Sequence, residues 1–313
     1  MIFRSIAFGF LSMAAACLDA ADPPPGRAMW VYQTREILAS VDERAALLDF
    51  CAARSISDLF WQVYFDREST PPRLMEVEAL RAFLKQAHGR GLRVHTLGGD
   101  PSHVLKENHP RVLAMVDEIL AFNAEGEAFD GIHLDVEPHV LTRWQKATAE
   151  ERTELITQMV ELHTQVAEHI HQAAPALSYG VDLVFWLNRT DDAGRLLYPV
   201  TFRGETRDAA DFLMEVTDNI GLMGYRETAE GRNGIIDLAE PLIAEADAAR
   251  SRIWVGVKMA DQGLPHETFF GRSEEEMMQE LEKVEHRFRS HRGFAGLSFF
   301  HYGPFRQMAV PAR

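Results

Sequence analysis

The chain is poor in several things, and each shortage narrows what it can be. It has 2 cysteines in 313 residues, Cys17 and Cys51, too few for a disulfide framework, so the fold must rest on the apolar core that a chain of this length can bury. No run of about 18 uninterrupted apolar residues occurs, which leaves no candidate transmembrane helix. Basic residues are scarce: 32 Lys and Arg face 47 Asp and Glu, a formal charge of −15 that argues against nucleic acid as a partner and against docking on an anionic bilayer. No Gly-x-Gly-x-x-Gly follows the first apolar segment, so nothing supports a dinucleotide cofactor. His95, His133, Asp135 and His301 could converge on a metal, but neither a His-x-His on the first strand nor a helical His-Glu-x-x-His supports one. The expectation is a protein with neither cofactor nor metal.

What is present begins with Arg4, an apolar run over 6–16 and a proline-rich stretch to Pro25, which together read as a secretory signal and linker over 1–25. The mature protein is then expected outside the cytoplasm, secreted, periplasmic or on the cell surface. Cleavage after Ala16 would leave Cys17 first in the chain and a candidate for lipid attachment, although Ala14 stands where lipoprotein signals usually carry Leu. Cys51 falls in an amphipathic helical pattern and reads as a buried apolar thiol.

Residues 26–313 read as one domain. Short β-branched and aromatic runs at 29–33, 58–65, 93–98, 131–138, 178–186, 219–225, 253–259 and 296–302 alternate with stretches of helical period at 42–54, 77–88, 110–123, 149–173, 208–216, 237–249 and 273–290. Eight strand-and-helix units predict an α/β fold, a single (β/α)8 barrel, with an open doubly wound sheet as rival. Gly89, Gly91 and Gly126 mark helix ends, and Ser273 with Glu276 makes a capping box. The connection over 187–206 is long for this fold and is expected over the mouth of the barrel.

The chemistry concentrates in Phe129-Asp130-Gly131-Ile132-His133-Leu134-Asp135-Val136-Glu137-Pro138. Strand period puts Ile132, Leu134 and Val136 on one face and His133, Asp135 and Glu137 on the other. The apolar face must meet the helices, so the ionisable one points into the barrel, near the open carboxyl end where this fold holds its chemistry. Two carboxyl groups two residues apart on one strand face are close enough for one to raise the pKa of the other and keep a proton donor near neutral pH. Such a pair suits acid-assisted cleavage of a glycosidic bond. The alternative is an internal ion-pair network with His133 and Lys258 that only holds the barrel. Lys258 also raises the option of a Schiff-base lysine, which nothing else in the sequence supports.

This run resembles the Asp-x-x-Asp-x-Asp-x-Glu signature of the family 18 glycoside hydrolases, chitinase-like barrels that carry it on strand four. The resemblance implies that Glu137 protonates the leaving oxygen, that Asp135 orients the substrate's own acetamido group as nucleophile, and that Asp130 is structural. Met223 and Tyr225 match the family's Met-x-Tyr segment on strand six, which implies that Tyr225 hydrogen-bonds the acetamido oxygen. His133 stands where the family has aspartate, and Phe299-Phe300-His301 where a tryptophan usually floors the sugar site. A histidine beside Asp135 would hold that carboxylate ionised or mark a changed activity. A barrel that binds glycans without cleaving them is therefore the second reading.

Further candidate substrate contacts are Tyr64, Asp182, Asp100, Lys258 and Trp144. Asp182 inside an apolar strand needs a partner such as Arg226 or a sugar hydroxyl. Gly98 and Gly99 would leave room for a ligand against the backbone before Asp100. Trp144, just past Pro138, would offer an exposed platform for a sugar, and Trp30, Tyr32, Trp61 and Trp186 would furnish a stacking groove.

Overall fold

A computed structural model describes residues 24–308. The segment 1–23, with most of the expected signal and Cys17, lies outside the described residues. The chain runs β1 (Gly26–Val31), α1 (Thr34–Ala39), α2 (Val41–Ala53), β2 (Asp58–Gln62), α3 (Val77–His88), β3 (Arg93–Gly98), α4 (His109–Asn123), β4 (Gly131–Leu134), α5 (Ala149–Ala173) and β5 (Ser178–Val184). It continues through β6 (Val200–Phe202), β7 (Glu205–Arg207), α6 (Ala209–Val216), β8 (Asn219–Met223), α7 (Ile235–Ala246), β9 (Arg252–Lys258), α8 (Glu274–Phe288), β10 (Phe294–Phe300) and α9 (Tyr302–Met308). Eight parallel strands close in the order β1-β10-β9-β8-β5-β4-β3-β2, the expected barrel.

Side-chain alternation divides the core in two. Outward residues such as Met29, Val31, Leu59 and Trp61 pack under the helices, where Trp61 stacks on Phe83 of α3 with ring centroids 4.0 Å apart. Inward residues Ala28, Trp30, Phe60, Leu97, Trp254 and Ala295 form a separate plug inside the barrel. Trp61 therefore serves the helix layer and not a sugar groove. Cys51 is buried in α2, as its helical pattern predicted.

Polar side chains enter this interior by sitting over glycines of the next strand. His95 lies opposite Gly131, His133 opposite Gly180 and Asp182 opposite Gly221 in the parallel register. A Cβ at any of the three glycines would collide with the facing imidazole or carboxylate. The empty side of each glycine is the volume that its polar neighbour fills.

Several strands stop earlier than their side-chain pattern suggests. β2 ends at Gln62, β4 at Leu134, β5 at Val184 and β8 at Met223. Past those points the chain leaves the hydrogen-bond ladder but stays extended, as at Glu137 with φ −106° and ψ 90°, so period-two alternation outlasts the strand. The helix after β1 is too short to carry a period, and α9 follows a strand expected to run two residues further. The capping box of Ser273 and Glu276 forms as expected. Gly91 and Gly126 make their turns at positive φ, whereas Gly89 remains right-handed at φ −61°. In the long connection after β5, Trp186 and Tyr198 pack at a tilt beside Trp144, but the β6–β7 hairpin turns away to lie along α5, its Arg203 pairing with Glu168 at 2.6 Å. Only the first part of that connection borders the mouth.

Candidate active site

The residues that follow β4 form the centre of the mouth. Asp135 is the first residue past the strand, held by its backbone N–H donating to Gly98 O at 2.9 Å. The backbone of β3 comes so near that a Cβ on Gly99 would overlap the carbonyl of Asp135. Gly99 thus admits this protein's own chain and not a ligand. Asp100 likewise turns from the mouth and caps the following 3-10 turn, accepting from Ser102 N at 2.9 Å and Ser102 Oγ at 2.6 Å.

Three carboxyl groups face one another across this mouth. Burial, the neighbouring Asp182 and then Glu137 push Asp135 well above the usual carboxylate range. Burial and Asp182 push Glu137 up to about 7, and burial pushes Asp182 up to about 8, partly offset by the Trp30 Nε1–H that donates to its Oδ2 at 3.0 Å. The cluster therefore retains protons at neutral pH, the condition for a carboxylic acid to act as a donor.

His133 does not hold Asp135 ionised. It lies inside the barrel with Nε2 3.0 Å from Asp182 Oδ1 and its ring 4.2 Å from that of Phe60, in a close approach directed off the hydrogen-bond axis. Burial lowers its pKa to about 3, so the imidazole is neutral and lends no charge to the carboxyl cluster. Asp182 finds Trp30 and His133, while Arg226 lies over Phe185 instead, 5.2 Å from the ring centre. Nor does Lys258 complete an internal network with Asp135. Its Nζ is 3.7 Å from Glu267 Oε2 and 5.1 Å above the Tyr225 ring, and burial lowers its pKa. Of the histidines considered for a metal, His95 is committed to Asp58, with Nε2 2.9 Å from Oδ1.

Tyr225 stands just beyond β8, half-buried, its ring 5.6 Å from Phe300. Burial, then Asp182, Asp135, Tyr32 and Glu137, raise its hydroxyl well above the usual range, so it remains a donor. Met223, half-buried, ends β8 on the same face. Tyr32, two residues past the inward Trp30, reaches the same carboxyl groups: burial, Asp135, Asp182 and Glu137 all raise its pKa. It meets Phe300 edge-on at 5.8 Å and His301 at 5.2 Å. Strand parity with Trp30 marks Tyr32 as a site residue, a signal available in the sequence. His139 is the other addition, its Nε2 3.3 Å from Glu137 Oε2 and its ring 5.4 Å from Trp186.

Two expected contacts lie elsewhere. Trp144 is only 7% exposed, packed against Trp186 at 6.0 Å and Tyr198 at 5.8 Å, so it supports the wall of the mouth and offers no free face. Tyr64 sits past β2, donating to Gln62 Oε1 at 2.6 Å with the Arg35 guanidinium 4.2 Å from its ring, at the rim. Asp130 lies at the opposite end of the barrel, accepting from Val94 N at 2.7 Å and lying 3.1 Å from His88 Nε2.

No protein-family model and no curated protein sequence matches the chain. Its fold is shared with solved glycoside hydrolases. A GH18 chitinase from Pseudoalteromonas aurantia superposes with a TM-score of 0.55 at 8% identity, over 91% of this chain and 99% of that one. A β-mannanase from the blue mussel Mytilus edulis gives 0.55 at 9% identity, over 91% and 90%. An exo-β-1,4-mannosidase from Opitutaceae bacterium strain TAV5 gives 0.55 at 14% identity over 89% of this chain, which spans only 52% of that protein's length. At these identities the likeness is one of fold.

Proposed function

We propose that this protein is an exported glycoside hydrolase that cleaves an N-acetylated glycan, with Glu137 as general acid. The observation that carries the reading is the carboxyl cluster of Asp182, Asp135 and Glu137, proton-retaining at neutral pH, at the barrel end where this fold does its chemistry. Glu137 gives its proton to the glycosidic oxygen as the bond from C1 to that oxygen breaks and the bonding pair leaves with it. The acetamido carbonyl oxygen of the same sugar closes on C1. Asp135 accepts from the acetamido N–H and Tyr225 donates to the acetamido oxygen. A water then attacks C1 as the bond from C1 to the acetamido oxygen breaks and its pair returns to the acetamido group, and the water gives a proton to the Glu137 carboxylate, restoring the acid. Neutral His133 lies against Asp182 and adds no charge to the cluster.

The test is release of reducing ends from N-acetylated and non-acetylated polysaccharides by the mature protein, beside Glu137→Gln. Cleavage that falls by roughly 10²–10⁴ in the variant while sugar binding persists supports the reading. Absence of cleavage on all substrates, with binding retained, would replace it with a glycan-binding barrel.

A further inference from the structure

Most arginines in this acidic protein have a carboxylate at hand: Arg27 with Glu285, Arg54 with Glu274, Arg73 with Glu118 and Arg272 with Glu227. Two at the mouth do not. Arg189, in the connection after β5, and Arg226, next after Tyr225, both stack on Phe185, 4.7 Å and 5.2 Å from its ring centre. Neither has a carboxylate within ion-pair distance among the described residues. Arg226 donates only to the carbonyl of Tyr225, and its Nε is shielded from solvent with no partner. Burial depresses the Arg226 pKa; Glu267, from beyond bonding reach, works against that shift, and Arg189 adds to it more weakly. Lys258, the nearby third cation, is already matched by Glu267.

Holding two guanidinium groups together at one ring costs mutual repulsion unless an anion is shared between them. Resting on the proposed hydrolase reading, we infer that Arg189 and Arg226 form a subsite for a carboxylate carried by the glycan, so that the substrate is an acidic N-acetylated chain. Paired planar forks suit a flat carboxylate, and both lie against the Phe185 ring. The location fits: Tyr225 lies between Arg226 in sequence and the carboxyl cluster in space, its ring under Lys258 and its hydroxyl in the field of Asp135 and Glu137. An acidic chain would thus be gripped beside Tyr225, apart from the carboxyl cluster.

The experiment compares a carboxylated substrate with its carboxyl-reduced counterpart, using peptidoglycan strands with their lactyl groups and hyaluronan oligosaccharides with their uronates, and includes a sulfated glycan. The wild type is expected to prefer the carboxylated member by at least about tenfold in kcat/KM, through KM. In Arg189→Gln with Arg226→Gln that ratio should fall to about one. Equal use of both members by the wild type, a ratio unchanged in the double variant, or a stronger preference for sulfate overturns the inference. Affinity of Glu137→Gln for the same pairs, measured by calorimetry, reads the subsite even if no glycan is cleaved, so failure of the hydrolase reading and failure of the subsite give different results.

Discussion

The two ends of the barrel treat aspartate in opposite ways. At the amino-terminal end, Asp58 begins β2 fully buried, with His95 Nε2, Arg93 and the Ser57 hydroxyl at 2.9, 2.9 and 2.7 Å. Burial raises its pKa, but the bond and charge of His95, then Arg93 and Ser57, outweigh that and hold it below the usual range. Asp218, before β8, likewise accepts from Tyr179 N at 2.9 Å and from Arg250 at 2.6 Å. At the mouth Asp182 is as deeply buried as Asp58 but has only the Trp30 N–H and a neutral His133 beside it, and burial moves its pKa up. Burial alone does not decide the charge of a buried acid. Its neighbours do, and the barrel spends its cations at the end that only has to stay folded.

Breaking each end separately should give opposite results. The largest effect expected is at the mouth: Glu137→Gln lowers kcat by about 10³-fold, about 4 kcal/mol of barrier, without lowering the melting temperature. Next, Asp58→Ala leaves His95 and Arg93 without their shared anion and should cost about 3–5 kcal/mol in urea unfolding, with activity per folded molecule preserved. Asp182→Asn should do the reverse, abolishing activity while stabilising the fold by about 1 kcal/mol above about pH 8, because the amide oxygen still accepts from Trp30 and never acquires the buried charge.

The pH dependence sharpens the same contrast. Raised groups such as Glu137 and Asp182 hold protons in the fold that the unfolded chain has released, so their contribution is full below about pH 4 and drains away as pH climbs through about 7 and about 8. The lowered Asp58 contributes above about pH 4 and is lost on acidification. The melting temperature should therefore fall between pH 5 and pH 8, and Asp182→Asn should flatten that slope. An unchanged slope would mean that Asp182 is ionised in the fold. Catalysis by Glu137 should decline above about pH 7 as the donor loses its proton. The smallest effect expected is Arg250→Ala, whose half-exposed pair with Asp218 is worth less than about 1 kcal/mol.

Much of this was legible in the sequence because strand alternation and barrel topology are set locally. The α5 boundaries, the β3 boundaries and the inward face of His133, Asp135 and Glu137 follow from period alone. Partners were not legible. His133 pairs with Asp182 because β4 and β5 are neighbours in one register, and a sequence in which Arg226 is also available gives no means to choose. Trp144 fails as a platform for a related reason: its burial depends on Trp186 and Tyr198, which arrive from a connection without periodicity. The Arg189 and Arg226 pair belongs to the same class, since it depends on the connection that brings Arg189 back to Phe185.

The glycines opposite His95, His133 and Asp182 make the occupied position and the vacated one a single unit of variation. Exchanging one strand for that of another barrel would carry an occupant without its seat, or a seat without its occupant. Libraries aimed at new specificity in this barrel should therefore vary 133 jointly with 180, and 182 jointly with 221. A scan of single positions would score both partners as immutable and miss the combinations in which a larger residue moves from one strand to the next.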